Sequence, residues 1–96
     1  MLDLSVDQHA MVRAILSDHA PGVKAWAFGS RLIGHAKRFS DLDIALDAGK
    51  EMDLSTFAEL RNAFQESDLP MTVDLLDLQT VRLDFRKLIE ANRVAL

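Results

Sequence analysis

Two short motifs in the first half of the chain carry residues suited to phosphate and metal chemistry. Gly29-Ser30 precedes a short predicted helix, and after ten further residues Asp41-Leu42-Asp43 opens an alternating segment. A glycine and serine before a helix expose backbone N–H groups, a hydroxyl and the positive end of the helix dipole, which suit a phosphate. Two aspartates at i and i+2 of a strand project to one side, where both can bind magnesium. Together the motifs indicate phosphoryl or nucleotidyl transfer.

A third carboxylate is expected on a neighbouring strand. Asp74 is the best candidate, because it lies in the otherwise apolar predicted strand 72–77, where a charged side chain needs a partner or a function. Asp77 is the alternative. It stands at the end of that strand, ahead of a helical pattern, where its simplest role is to cap the last helix.

Basic residues follow the first motif. Arg31, Lys37 and Arg38 have an obvious use beside a phosphate, although solvated loop charges explain them almost equally well. The candidate nucleotide-binding residues are therefore Gly29, Ser30, Arg31 and Arg38.

The pattern of apolar residues predicts the elements that position these groups. Helices are expected between Ser5 and Pro21, over 31–33, between Asp53 or Ser55 and Pro70, and over 78–89. Strands are expected over 23–28, 41–47 and 72–77, with a stub of a fourth at 94–96. Strict alternation in 41–47 puts the aspartates on one face and the leucines and isoleucine on the other. The predicted order is αβαβαβα, with a last β left open.

Composition is typical of one small globular domain. The 96 residues are 49% hydrophobic and 27% charged, so one domain over 1–96 with one modest core is expected. A net charge of -4 opposes broad charge-driven binding, and nucleic acid is not expected as a direct partner. The chain has no cysteine, no basic leader and no apolar run of the roughly 20 residues that cross a bilayer, which predicts a cytoplasmic protein without membrane contact.

The two motifs together resemble those of the minimal nucleotidyltransferases of the DNA polymerase β superfamily. The family pattern is Gly-Ser, ten residues and then Asp-x-Asp, which Gly29-Ser30 and Asp41-Leu42-Asp43 match. The aromatic residue before Gly29, the run 40–45 and the place of Asp74 are also similar to the family, and the resemblance extends over nearly the whole chain. It departs at 94–96, where family members often continue through another strand.

The resemblance implies an α/β (α+β) fold of the polymerase β type, in which a mixed sheet of three to four strands carries helices on one side. It implies a nucleoside triphosphate, here ATP, and two magnesium ions. Gly29 and Ser30 would hold the β- and γ-phosphates, and Asp41 and Asp43 would bind the metals. Asp74 would complete the second metal site and help to deprotonate the hydroxyl that attacks the α-phosphate, with release of pyrophosphate.

The length of the chain narrows what the resemblance implies about the acceptor. Larger family members add domains that grip a primer, a transfer RNA or a drug, and 96 residues leave no length for one. Single-domain members characteristically accompany a helical HEPN protein, a ribonuclease toxin, and adenylylate a tyrosine near its active site. We therefore expect an ATP- and magnesium-dependent protein adenylyltransferase that acts as a type VII antitoxin in a hetero-oligomer with a HEPN toxin.

Two other functions stay open at the level of the sequence. The same fold would neutralise a HEPN partner by complex formation alone, with carboxylates that are only structural. It would also serve as the catalytic subunit of a nucleotidyltransferase that modifies a small molecule or an RNA 3′ end with a substrate-binding helper. Tight RNA binding with a steep salt dependence is expected only of this last function, and the acidic net charge opposes it.

Overall fold

A computed structural model describes residues 4–29 and 41–96. Within these ranges the chain forms three helices and four strands. The helices are α1 (Val6–His19), α2 (Leu54–Gln65) and α3 (Leu83–Ala91), and the strands are β1 (Lys24–Phe28), β2 (Leu42–Asp47), β3 (Val73–Asp77) and β4 (Val94–Ala95). The helix expected over 31–33 lies outside the described residues.

Side-chain caps define the starts of α1 and α2. Ser5 accepts a hydrogen bond from the Gln8 N–H, and the Gln8 side chain accepts one from the Ser5 N–H, which is a capping box. At α2, Asp53 accepts a bond from the Thr56 N–H, so Asp53 rather than Ser55 is the N-cap. Both helices therefore begin where polar side chains satisfy backbone donors that have no partner inside the helix.

The start of α3 differs from the predicted one. The helix begins at Leu83, with Arg82 as an N-cap that makes no side-chain capping bond. The preceding residues form a turn in which Thr80 donates to the Asp77 carbonyl through both its N–H and its hydroxyl. Leu78 fits a helical pattern because it is buried, although it belongs to the turn rather than to α3.

The strands form one mixed sheet in the order β3–β2–β1–β4. β1 runs antiparallel to both β2 and β4, whereas β2 and β3 are parallel and are joined through α2. The sheet confirms the expected mixed architecture, and β4 confirms the predicted fourth strand at the end of the chain.

Helices α1 and α2 cover one face of the sheet. Leu42, Ile44 and Leu46 of β2 are fully buried against this layer, together with Val12 of α1 and Leu60 of α2. Through the hydrophobic effect, burial of each large aliphatic side chain stabilises the fold by about 1.5–3 kcal/mol. The alternation predicted for 41–47 is thereby confirmed for its apolar face.

Helix α3 covers part of the opposite face. Ile89 of α3 packs with Ala45 and Leu78 in a second buried cluster, which Trp26 and Leu76 also contact. The implied arrangement with helices on one side only is therefore wrong. The strands present apolar side chains on both faces, and both need a covering layer.

Much of the apolar side-chain surface of α3 faces away from this cluster. Phe85 and Leu88 are 44% and 61% exposed, whereas Ile89 is buried.

In the described part of the chain, no helix combines the length and apolar character needed to cross a membrane.

Candidate active site

The side chains of Asp43 and Asp74 lie on the same face at one end of the sheet. Each is the second residue of its strand, and the parallel register of β2 and β3 places them directly opposite each other. Neighbouring strands are about 4.8 Å apart, and paired residues project to the same side. Asp41 stands one residue before β2, and its side chain is within hydrogen-bonding reach of Asp74. The structure therefore brings together the three carboxylates that the sequence singles out.

Burial and mutual repulsion act on these carboxylates. The pKa of Asp43 is raised by burial first, and then by the negative charges of Asp74 and Asp41. The pKa of Asp74 is raised by its desolvation, by its hydrogen bond with Asp41 and by the charge of Asp41. Negative charges held this close favour a bound cation, which relieves their repulsion.

The donor set fits magnesium in its chemistry. All three groups supply carboxylate oxygens, the ligands that this hard cation prefers. Across residues 4–29 and 41–96, no group of three or more histidine, aspartate or glutamate side chains is arranged so that it could hold a metal ion. The fit rests on the oxygen donors and on the repulsion between them.

Gly29 borders the carboxylates on the β1 side. It follows Phe28, whose register partner across the antiparallel pair is Asp43. Its φ of +86° lies in the region that favours glycine. A Cβ at this position would overlap Oδ2 of Asp43 and would lie 3.3 Å from its Cγ. Both the backbone conformation and the neighbouring carboxylate therefore favour glycine here.

The other predicted nucleotide-binding residues, Ser30, Arg31 and Arg38, lie outside the described residues. Of the sequence candidates, the structure places Gly29, Asp41, Asp43 and Asp74 around one sheet end. Asp41 and Asp74 are exposed and Asp43 is half-buried, so an acceptor from outside the chain can approach the carboxylates.

Phe28 is a neighbour of the site to which the sequence assigns no chemical role. It is half-buried and packs against both apolar clusters, while its register partner is Asp43. The only feature of the sequence that places Phe28 near the site is its position directly before Gly29. These contacts give the ring a role in the core.

Asp77 is neither part of the site nor the cap of α3. It is paired with Leu46 at the other end of β3, and three positions along a strand reverse the face relative to Asp74. Its Oδ2 accepts a bond from the Met52 N–H at 2.8 Å and its Oδ1 one from the Gln79 N–H at 2.9 Å. The expected capping role is wrong, because these bonds hold the segment before α2 and the turn after β3.

Asp47 shares the strand face of Asp43 but has structural partners. Its Oδ1 accepts bonds from Gln79 Nε2 at 2.9 Å and from the Gly49 N–H at 2.8 Å, and Arg86 lies 3.6 Å from Oδ2. The Gln79 bond first, then the Gly49 bond and the Arg86 charge, hold the pKa of Asp47 below its usual value. This carboxylate joins α3 to the end of β2.

Asp47→Asn is expected to make the free energy of unfolding depend less on pH in the acidic range. Because the folded-state pKa of Asp47 is lowered, its charge contributes stability above the unfolded pKa of about 3.9, and this contribution disappears as pH falls through the folded pKa. The amide oxygen of Asn can still accept one hydrogen bond. Urea midpoints should be lower for the variant at pH 7 and fall less between about pH 5 and pH 2.5. If the urea midpoints of wild type and variant fall equally over this pH range, Asp47 makes no such contribution.

Comparison with known proteins decides the family. Residues 11–96 match the family model for polymerase beta nucleotidyltransferases. The chain belongs to that family. This nucleotidyltransferase is also 46% identical over 88 residues to a probable protein adenylyltransferase, MntA of Haemophilus influenzae, a match that covers 92% of the chain and 77% of the relative.

Solved structures share the fold of this chain. A crystal structure of a toxin–antitoxin with AMP-PNP matches with a TM-score of 0.75 and 28% identity, covering 90% of this chain and 69% of that one. A mutant of the toxin–antitoxin MntA–HpeT matches with a TM-score of 0.72 and 25% identity, again covering 90% and 69%. The family and the mixed-sheet fold that the resemblance implies are confirmed.

Proposed function

We propose that this nucleotidyltransferase transfers AMP from ATP to a tyrosine hydroxyl of a HEPN toxin, and so acts as a type VII antitoxin. The observation that carries the proposal is the pairing of Asp43 with Asp74 beside Gly29, in a chain of this family. The similar proteins support the acceptor class. One is a probable protein adenylyltransferase, and another is a toxin–antitoxin with AMP-PNP, an analogue of ATP.

In this proposal Asp41, Asp43 and Asp74 hold two magnesium ions. When bound, the ions neutralise charge on the triphosphate and on the three carboxylates. The oxygen-only donors and their mutual repulsion support this assignment. Gly29, Ser30, Arg31 and Arg38 bind the phosphates, for which a glycine backbone, a hydroxyl and guanidinium groups are suited.

The transfer step balances with the groups available. The tyrosine oxygen attacks the α-phosphorus, the bond from that phosphorus to the bridging oxygen breaks, and pyrophosphate leaves. The phenolic proton passes to the Asp74 carboxylate, which is exposed to an incoming acceptor. Holding the hydroxyl and the α-phosphate in line supplies much of the rate.

The exposure of the carboxylates leaves room for an acceptor on a second protein, and the similar adenylyltransferase and toxin–antitoxin structure support an acceptor of that class. Asp41 and Asp74 are exposed at the sheet end, and no described helix covers them.

We propose that the whole chain, 1–96, is a single minimal nucleotidyltransferase domain, since every described helix packs on one sheet. We also propose that the reaction takes place in the cytoplasm, because it consumes ATP.

The test is intact-mass spectrometry of a cognate HEPN protein incubated with the chain, ATP and magnesium. Wild type is expected to add whole AMP units to the toxin, whereas the double variant Asp41→Asn/Asp43→Asn adds none. Asp84→Asn, which changes an exposed aspartate on α3, is the matched control and should behave as wild type. Tyrosine-to-phenylalanine substitution in the toxin identifies the acceptor.

One outcome would replace this proposal with the binding-module function. If the toxin gains no mass and is neutralised equally well by wild type and by the double variant, complex formation alone is the mechanism. The carboxylates would then be structural.

A further inference from the structure

Gly29 differs from the other described glycines in what surrounds it rather than in its backbone. Gly22, Gly29 and Gly49 have φ values of +82°, +86° and +80°. A Cβ added at Gly22 or Gly49 would meet nothing within 4 Å, whereas one at Gly29 would overlap Oδ2 of Asp43. The three positions therefore separate the cost of a positive φ from the cost of crowding Asp43.

The crowding involves only the movable end of the Asp43 side chain. The added Cβ would lie 3.3 Å from Cγ and 3.5 Å from Cβ of Asp43, so the overlap is confined to the carboxylate. The carboxylate can rotate away about the side-chain torsions, whereas the backbone of β2 need not move. A side chain at position 29 would thus leave the sheet intact and displace one of the two paired carboxylates.

We infer that Gly29 is a positioning residue for Asp43, and that its bare backbone is the surface against which the Asp43 carboxylate is held beside Asp74. The inference rests on the proposed function, in which Asp43 binds a metal. It differs from a phosphate contact in one measurable respect. A phosphate contact affects nucleotide binding only, whereas positioning of Asp43 affects cation binding with no nucleotide present.

The single tryptophan provides a direct probe of cation binding. Terbium(III) is an oxygen-seeking cation whose luminescence is excited by transfer from a nearby indole, and the chain has one Trp and no Tyr. Trp26 is paired with Ala45, two residues along β2 from Asp43 and on the same face, a spacing of about 6.5–7 Å along the strand. Terbium emission excited through Trp26, with competition by Mg²⁺, therefore reports cation binding at this site.

Gly29→Ala is expected to weaken nucleotide-free terbium binding at least tenfold relative to Gly22→Ala and Gly49→Ala. All three variants should lose similar stability in urea, because they share the positive φ. Equal terbium affinity in the three variants would overturn the positioning role. If Asp43→Asn also binds terbium as wild type does, the metal assignment of the proposed function fails as well, which separates the two failures.

A double variant keeps the test open even if Gly29→Ala alone does not fold. In an Asp43→Ala background the overlapping carboxylate is absent, so adding Gly29→Ala should shift the urea midpoint no more than Gly49→Ala does. It should also cause no further loss of terbium affinity. A double variant that is far less stable, or that loses affinity again, would show that Gly29 acts through another contact.

Discussion

Asp74→Asn is expected to reduce AMP transfer by about 10³-fold while leaving the fold intact. Asp74 lies opposite Asp43 and receives the phenolic proton in the proposed step, so the amide removes both a ligand and a proton acceptor. Its stability should equal or exceed that of wild type, because the substitution removes like-charge repulsion with Asp43 and Asp41. Intact-mass time courses give the rate, and urea unfolding gives the stability.

The matched control lies on the same strand. Asp77→Asn changes an aspartate at the other end of β3, on the opposite face, and should retain near wild-type transfer per folded molecule. The opposite result, transfer lost by Asp77→Asn and kept by Asp74→Asn with both variants folded, would make Asp77 the third carboxylate.

Strand β2 and the face on which Asp43 lies are largely predictable from the sequence. Alternation along a strand has a period of two, so the buried residues Leu42, Ile44 and Leu46 also fix the side to which Asp43 projects. The family is predicted because the motifs at 29–30 and 41–43 resemble its known pattern. The strand and its two faces are predicted from local geometry alone.

Register and long-range bonds are not predictable in this way. Asp43 lies opposite Asp74 because of how β3 aligns with β2 after the α2 crossover, and no local pattern encodes that alignment. One of the two donors to Asp77 is the backbone N–H of Met52, 25 residues away, and a backbone donor leaves no side-chain signature. A capping role is the simplest local interpretation of Asp77, but the side chain instead accepts a bond from Met52, which is distant in the sequence.

Asp77→Ala is expected to lower the free energy of unfolding by about 3 kcal/mol. Its buried carboxylate accepts bonds from the Met52 and Gln79 N–H groups, and each bond to a charged acceptor contributes about 1.5–3 kcal/mol. Alanine leaves the N–H of buried Met52 without this acceptor. Urea unfolding at neutral pH measures the loss, which should exceed the roughly 1 kcal/mol that a helix cap contributes.

Comparing Asp77→Asn with Asp77→Ala distinguishes a long-range hydrogen-bonding role of Asp77 from a helix-capping role. The amide oxygen can replace one accepted bond, but the amide nitrogen would face a second N–H donor, so Asn should recover only part of the loss. In Asp77→Ala, hydrogen exchange should quicken at Met52 as well as at Gln79, because both N–H groups lose their acceptor. A loss of about 1 kcal/mol with faster exchange confined to α3 would restore the capping role. Since Asp77 lies at the far end of β3 from Asp74, the variant should weaken the fold without changing the candidate active site.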